Sequence, residues 1–323
     1  MRRCWVLTSG IAGTENQCLG LAEAMGEEPV VKRSTPASPW RHLPAVPFMP
    51  KLGALAAGSD PLEPPWPSLL IASGRRAVGL ALGLRRAAGC FTVFVQDPRV
   101  APRRFDLVIA PRHDGVRGPN VVETRTALHR VTPARLAEAG RRFAPDLEAL
   151  PRPLVAVLVG GASRRHRFEP ADGAALGRAL AAMAREAGAG LAITASRRTA
   201  PASMEALVRA LEDTPAQLWR GEGENPYFGY LALADAIVVT GDSVSMTSEA
   251  CASGKPVYVA PMRGRGSKRI DRFFQGLRED RLIAPFTGPI DDWAPRPPLD
   301  ETARAAGIVR RHYERWRAAQ AAP

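Results

Sequence analysis

The sequence is poor in aromatic, cysteine, histidine and acidic residues, and each shortage removes a class of function. Aromatics make up 6% of its 323 residues, and none interleaves with the basic run Arg263, Arg265, Lys268, Arg269 and Arg272. Single-stranded nucleic acids are held by rings stacked between cations, so no nucleic-acid partner is expected. The four cysteines, Cys4, Cys18, Cys90 and Cys251, form no Cys-x-x-Cys pair and have no histidine at ligand spacing. That argues against a metal site and for a reducing compartment. The apolar run after Arg3 gives way at Thr8-Ser9-Gly10, too short for the core of a signal peptide. No stretch approaches the ~20 apolar residues that span a bilayer. The expected location is cytoplasmic, with peripheral attachment to the inner face of a membrane as an option.

Acidic residues are outnumbered, 32 against 44 Lys+Arg, for a formal charge of +12. The excess is shared: residues 1–150 carry 20 basic and 13 acidic side chains, residues 151–323 carry 24 and 19. A charge spread this way favours anionic partners such as nucleotides or acidic lipid headgroups. Almost all the basic residues are Arg, many in Ala/Arg-rich helices, so genomic composition bias accounts for part of the excess. Apolar content of 46% and charged content of 24% are globular values, and the length suits two domains.

Buried β-branched runs alternate with helical patterns along the whole chain. Strands are expected at Cys4–Thr8, 29–32, Leu69–Ala72, Phe91–Val95, 106–110 and 120–122. Residues 34–67 hold nine prolines and two tryptophans and read as an irregular excursion. A connecting helix and linker follow over 132–150. The alternation then restarts with strands at Leu154–Val159, 191–194, 217–219, 237–239 and 257–259. This predicts an α/β chain of two Rossmann-like domains facing a cleft. The divisions are residues 1–140, a linker 141–152, a second domain 153–299, and a basic helix within 300–323. Ile308, Val309, Tyr313 and Trp316 give that helix a sparse apolar face for packing or for an acidic surface.

Several strand ends carry candidate chemistry. Thr240-Gly241-Asp242-Ser243 follows a strand and opens a short helix ended by Gly254 and Pro256. Asp242 or Ser243 can cap that helix, and its free N–H groups suit a phosphate. Ionised Asp242 repels phosphate unless it is turned away or paired. Glu249, about two turns into the helix, can accept bonds from a sugar diol; alternatively it is a solvated side chain. Gly160-Gly161-Ala162-Ser163-Arg164-Arg165 and Ser196-Arg197-Arg198-Thr199 both combine hydroxyls with arginines, an anion-binding composition. In a doubly wound sheet these ends share one edge. Gly10-x-x-Gly13 fits neither a dinucleotide fingerprint nor a P-loop, which disfavours an NAD-dependent enzyme. Glu15, in the loop expected over Ser9 to Gln17 before a helix that runs to about Met25, and Asp97 in Asp97-Pro98-Arg99, are the candidate general bases.

Ser9-Gly10-Ile11-Ala12-Gly13-Thr14-Glu15-Asn16-Gln17, Val95-Gln96-Asp97-Pro98-Arg99, Gly160 to Ser163, Ser196 to Thr199, and Glu224-Asn225-Pro226-Tyr227 through Met246 occur in this order. The series resembles the plant mitochondrial fission ("elongated mitochondria") family and its bacterial members over nearly the whole chain. That family is similar to GT-B glycosyltransferases, and Ser243 to Glu249 also resembles the donor site of the UDP-N-acetylglucosamine transferase of peptidoglycan synthesis. The resemblance implies that Glu249 holds ribose hydroxyls and that Gly160, Gly161 and Ser163 face the diphosphate. It places Asn225 to Tyr227 near the base. Arg164, Ser196, Arg197, Gly241, Ser243 and Ser245 complete the expected nucleotide-sugar site. Thr14 stands where the family pattern usually has His, which shifts the base to Glu15 or Asp97. The expected activity is metal-independent transfer from a nucleotide-diphosphate sugar, with no other cofactor, to an envelope glycolipid or polysaccharide. The rival expectation is a non-catalytic membrane-associated scaffold.

Overall fold

The computed structural model describes residues 3–44, 52–211, 213–290 and 292–321. The chain divides into two compact units, Met1–Arg130 with Asp300–Pro323, and Val131–Leu299.

The first unit is built on six parallel strands: β1 (Cys4–Thr8), β2 (Val30–Arg33), β3 (Leu69–Ser73), β4 (Phe91–Val95), β5 (Leu107–Pro111) and β6 (Val121–Thr124), in the order β2-β1-β3-β4-β5-β6. Every residue of β1, β3, β4 and β5 is buried, as expected of strands covered on both faces. Helix α1 (Ala12–Ala24) follows β1 and α2 (Ala77–Ala88) follows β3. The C-terminal helix (Glu301–Ala321) closes this unit, with Ala305, Ala306, Val309 and Tyr313 buried in the same core as Cys18, Leu21 and Phe91. Its apolar face is thus a packing face. The proline-rich excursion is stapled at its root, where Ala37 N–H donates to Ala54 O (2.9 Å) and Ala56 N–H to Thr35 O (2.9 Å).

The second unit begins with α3 (Pro133–Leu147), whose N-cap Thr132 accepts a bond from the Arg135 N–H, and which packs on α6 (Tyr227–Leu233). Its sheet comprises β7 (Leu154–Val159), β9 (Gly190–Ala195), β10 (Ala216–Trp219), β11 (Ala236–Thr240), β12 (Val257–Ala260) and β14 (Ala284–Pro285). The order is β10-β9-β7-β11-β12-β14, all parallel. Counted along the sheet this is the Rossmann order, with the reversal between β7 and β11, where ligands of such sheets bind. Helices α4 (Pro170–Ala187), α5 (Pro201–Arg209), α7 (Val244–Ala252) and α8 (Lys268–Glu279) complete the layers. Two short strands, β8 (His166–Arg167) and β13 (Arg263–Gly264), pair antiparallel. Helix α7 stops where Gly254 takes φ +75°, a left-handed turn that side chains with a Cβ resist.

All four cysteines are buried thiols. Burial pushes Cys90 and Cys251 up to about 12, so neither is a nucleophile at neutral pH.

Candidate functional site

The ends of β7, β9 and β11 converge on one carboxylate. Asp242 Oδ2 accepts from Gly161 N–H (3.2 Å) and from Arg198 Nη2 (2.7 Å), and Oδ1 accepts from Thr240 Oγ1 (2.7 Å). Thr240 Oγ1 in turn accepts from Gly160 N–H (2.7 Å). The Asp242 side chain is fully buried and the Arg198 guanidinium is half-exposed. Asp242 is therefore paired, which removes the repulsion that an ionised aspartate would impose on a phosphate here.

The two glycines have a packing cause. A Cβ on Gly160 would fall on the Asp242 carboxylate, and one on Gly161 on the carbonyl of Arg198. Their N–H groups are already engaged by Thr240 and Asp242, so in this state neither is free to donate to a diphosphate. Thr199 Oγ1 donates to Gly160 O (2.7 Å) and ties the β9 loop to the β7 loop. Ser196 Oγ accepts from Arg198 N–H (3.2 Å), and Ser163 Oγ from the N–H groups of Arg165 and His166 (3.2 and 3.1 Å). These serines shape their own loops. Arg164 and Arg197 are exposed beside them. Of the basic run at 263–272, Arg263 is held by Glu169 and Asp172 at the start of α4.

After β11, Gly241 N–H donates to Ala260 O (2.9 Å), and the chain enters α7 with Ser243 as N-cap, its hydroxyl accepting from Met246 N–H (3.2 Å). Ser245 is half-buried in the first turn. Further along α7, Glu249 Oε2 accepts a 2.6 Å bond from the phenol of Tyr227. Burial raises the Glu249 carboxyl to about 7, and the Tyr227 bond opposes that rise. Burial first, and then Glu249, push the Tyr227 phenol well above its ordinary value. Asn225 Oδ1 accepts from Tyr227 N–H (3.0 Å), so Asn225, Tyr227 and Glu249 form one connected chain.

Two neighbouring cavities open among the described residues of this unit. One of about 670 Å³ is lined by Ser196, Arg197, Arg209 and Trp219, and another of about 590 Å³ by Phe143, Trp219, Pro226 and Tyr230. Trp219, at the end of β10, belongs to both. Sequence reasoning missed Trp219, although an aromatic residue closing a strand beside Arg220-Gly221 was a visible signal. It placed Asp242 and Arg198 at candidate strand ends but not as partners, because their pairing spans 44 residues and has no local signature.

In the first unit, Glu15 lies within α1 and not in the loop before it. Its carboxylate accepts a bidentate pair from Arg33 (2.9 and 2.8 Å) and a bond from Thr8 Oγ1 (3.1 Å). The Arg33 bond chiefly holds it below the usual carboxylate range. Thr14 Oγ1 donates to Ile11 O (2.8 Å) inside the first turn. Asp97 is bound to Arg99 through both the guanidinium (2.9 Å) and the N–H (2.8 Å). Gln96 Nε2 donates to Gln17 Oε1 (3.3 Å), linking the β4 loop to α1. Among the described residues no three His, Cys, Asp or Glu side chains gather as a metal ion would require, and no helix is long and apolar enough to cross a membrane.

Two Rossmann-like units with parallel sheets place the chain in the GT-B fold class. Solved structures of that class align over nearly all of it at low identity, which shows the fold alone. MurG of Acinetobacter baumannii aligns with TM-score 0.50 and 14% identity over 100% of this chain and 96% of that one. The UDP-GlcNAc 2-epimerase of Neisseria meningitidis, solved bound to UDP-GlcNAc, aligns with TM-score 0.53 and 12% identity over 98% and 100%.

Within that class, the chain belongs to the family described as Mitochondrial fission ELM1, which it matches over residues 12–313. It is 31% identical to the Mitochondrial fission protein ELM1 of Arabidopsis thaliana, over 96% of this chain and 91% of that one. It is also 24% identical to the uncharacterized protein RP120 of Rickettsia prowazekii, over 76% and 79%.

Proposed function

We propose that the second unit binds a nucleotide-diphosphate sugar and that the protein transfers the sugar to a cell-envelope glycolipid or polysaccharide acceptor. The observation that carries this reading is the bond between Tyr227 at the start of α6 and Glu249 on α7, which follows the strand beside the reversal of a Rossmann-order sheet. A half-buried carboxyl raised to about 7 has little to gain from solvent, and a ribose diol would give it the two donors that favour its ionised form. Trp219 supplies a planar wall for a base, in a cavity that also holds Ser196 and Arg197. The first turn of α7, with Arg164 and Arg197, would meet the charge of the leaving nucleotide diphosphate, and no metal is assigned to that task. In this reading Gly160, Gly161 and Gly241 shape the loops, while Ser163 and Ser245 offer hydroxyls at the rim. Asp97 or Glu15 would serve as base, Glu15 being weakened by Arg33. The solved relative bound to UDP-GlcNAc supports the donor class.

A second reading, a membrane-associated recruitment protein with the same fold, is favoured by the relative named for mitochondrial fission. Thermal unfolding against UDP, GDP, ADP, TDP, CMP and their sugars separates the two. A ligand at about 100 times its dissociation constant adds roughly 2.7 kcal/mol. A shift with one nucleotide that disappears in Glu249→Ala supports the donor site. The absence of any shift leaves the recruitment reading.

A further inference from the structure

The first unit carries a second, unrelated concentration of charge. A cavity of about 710 Å³ opens at the ends of β3 and β4, and Arg41, Arg75, Arg76 and Arg99 all line it. No carboxylate lines it among the described residues. Residues 36–44, which supply one wall, contain no acidic residue, so that segment cannot neutralise the cluster. Arg75 and Arg76 are exposed at the rim and form no ion pair with a described residue. Arg41 donates to His42 Nε2 (2.9 Å), a neutral acceptor that leaves its charge uncompensated.

Arg99 is deliberately placed. It takes φ +59°, a left-handed conformation unusual for arginine, and Gln96 just before the turn takes φ +77°. Asp97 clamps the Arg99 guanidinium and N–H, fixing the group at the mouth. The inner wall is the first turn of α2, where Val78 and Gly79 are buried lining residues. The N-cap position of α2 is Arg76, whose side chain makes no capping bond; Ala77 N–H donates to Gly74 O (3.0 Å), and the helix start keeps its partial positive charge. Trp40, Val78 and Val100 add an apolar side. Arg99 is already met by Asp97, but Arg41, Arg75 and Arg76 around an uncapped helix start repel one another unless an anion joins them.

We infer that this cavity binds a phosphomonoester or diphosphate group, with the apolar wall taking the adjoining part of the ligand. The site is separate from the proposed nucleotide-sugar contacts, which lie in the other unit; Asp97, a candidate base in that reading, touches this site through Arg99. The phosphate can belong to a soluble compound or to a lipid headgroup, and the experiment is built to tell these apart.

Calorimetry on the full chain would measure binding of inorganic pyrophosphate. Sedimentation would measure binding to phosphatidylcholine vesicles with and without phosphatidic acid. The test variant is Arg75→Gln/Arg76→Gln, both exposed and away from the core. The control is Arg178→Gln/Arg185→Gln on α4, which removes equal charge from the other unit. The wild type and the control should bind pyrophosphate alike, and the test variant should bind it at least roughly tenfold more weakly. Binding only to phosphatidic acid vesicles, lost in the same variant, supports the site and assigns the phosphate to a lipid. No binding of either probe, or equal losses in the test and control variants, would overturn the proposal. Pyrophosphate held at the proposed donor site would be lost in Arg164→Gln/Arg197→Gln and kept in Arg75→Gln/Arg76→Gln, the reverse of the result expected here, so failure here and failure of the nucleotide-sugar reading are separately visible.

Discussion

Asp242 lies so close under Gly160 that a methyl group on the glycine would fall on the carboxylate. The carboxylate cannot step aside, because Gly161, Thr240 and Arg198 all hold it. Gly160→Ala should therefore destabilise the second unit by roughly 2–4 kcal/mol, by overpacking and by breaking buried bonds. Asp242→Ala should produce a loss of similar size, since it strands the Gly161 N–H and the Thr240 hydroxyl. Urea unfolding checks both. A Gly160→Ala protein as stable as the parent would refute this packing role.

Glu249 makes stability depend on pH in an unusual direction. Its carboxyl titrates near 4.5 when unfolded and near 7 when folded, so between those values the folded chain holds the extra proton. The protonated folded form is favoured at low pH, and this contribution is lost as pH rises from about 4.5 to about 7. Glu249→Gln keeps the shape and removes the titration. Between pH 5 and pH 8 the parent should lose more stability than this variant does. Parallel pH profiles would show that the carboxyl is not shifted.

The same proton couples to ligand binding in the proposed donor site. A diol prefers the ionised carboxylate, so a nucleotide must displace the proton below pH 7. Affinity should rise from pH 6 to pH 8 and then level off, with proton release on binding below 7. Calorimetry in buffers of different ionisation enthalpy measures that release directly. A pH-independent affinity would place the sugar away from Glu249.

Arg33 governs the other candidate carboxylate. Glu15 is held below its ordinary value chiefly by the Arg33 bond, so its contribution to stability is present above the unfolded value and is lost as pH falls through the folded one. Arg33→Gln should move the Glu15 carboxyl resonance to a higher midpoint in an NMR titration. It should have only a small effect on stability, because the arginine is exposed. An unchanged midpoint would mean that Thr8 alone sets the shift.

The C-terminal helix belongs to the core of the first unit through an aromatic cluster. Tyr313 is buried, lies 5.6 Å from the Phe91 ring, and shares a 2.7 Å hydrogen bond with Ser68. Tyr313→Ala should cost about 3–5 kcal/mol, whereas Tyr313→Phe should lose only about 1 kcal/mol for the hydrogen bond. Thermal melts of the two variants give the comparison. Equal, small losses would mean that the helix is not part of the core.

Much of this protein was legible from local patterns. The strand runs at Leu154–Val159 and Ala236–Thr240 are apolar and β-branched, and only a strand covered on both faces accepts such a run. Ser243 caps α7 and Gly254 ends it, because capping bonds and left-handed turns depend on neighbours in sequence. The ordered motifs from Gly10 to Met246 were enough to identify the family. The start of α1 was less legible: no side chain caps it, and Glu15 therefore read as part of a loop.

Other features depend on residues brought together from far apart. Asp242 meets Arg198 and Arg33 meets Glu15 because parallel strands bring their ends to one edge, and Tyr227 on α6 meets Glu249 on α7 across 22 residues. The Gly160-Gly161 pair read as an anion loop, while its spacing is explained by a carboxylate and a carbonyl packed against it. The arginine cavity joins Arg41, Arg75 and Arg99 from three separate loops. Sequence sets which stretches are strand, helix or turn, since sterics and periodicity act over a few residues. Which side chains share a site is decided by packing, whose contacts carry no mark in the local sequence.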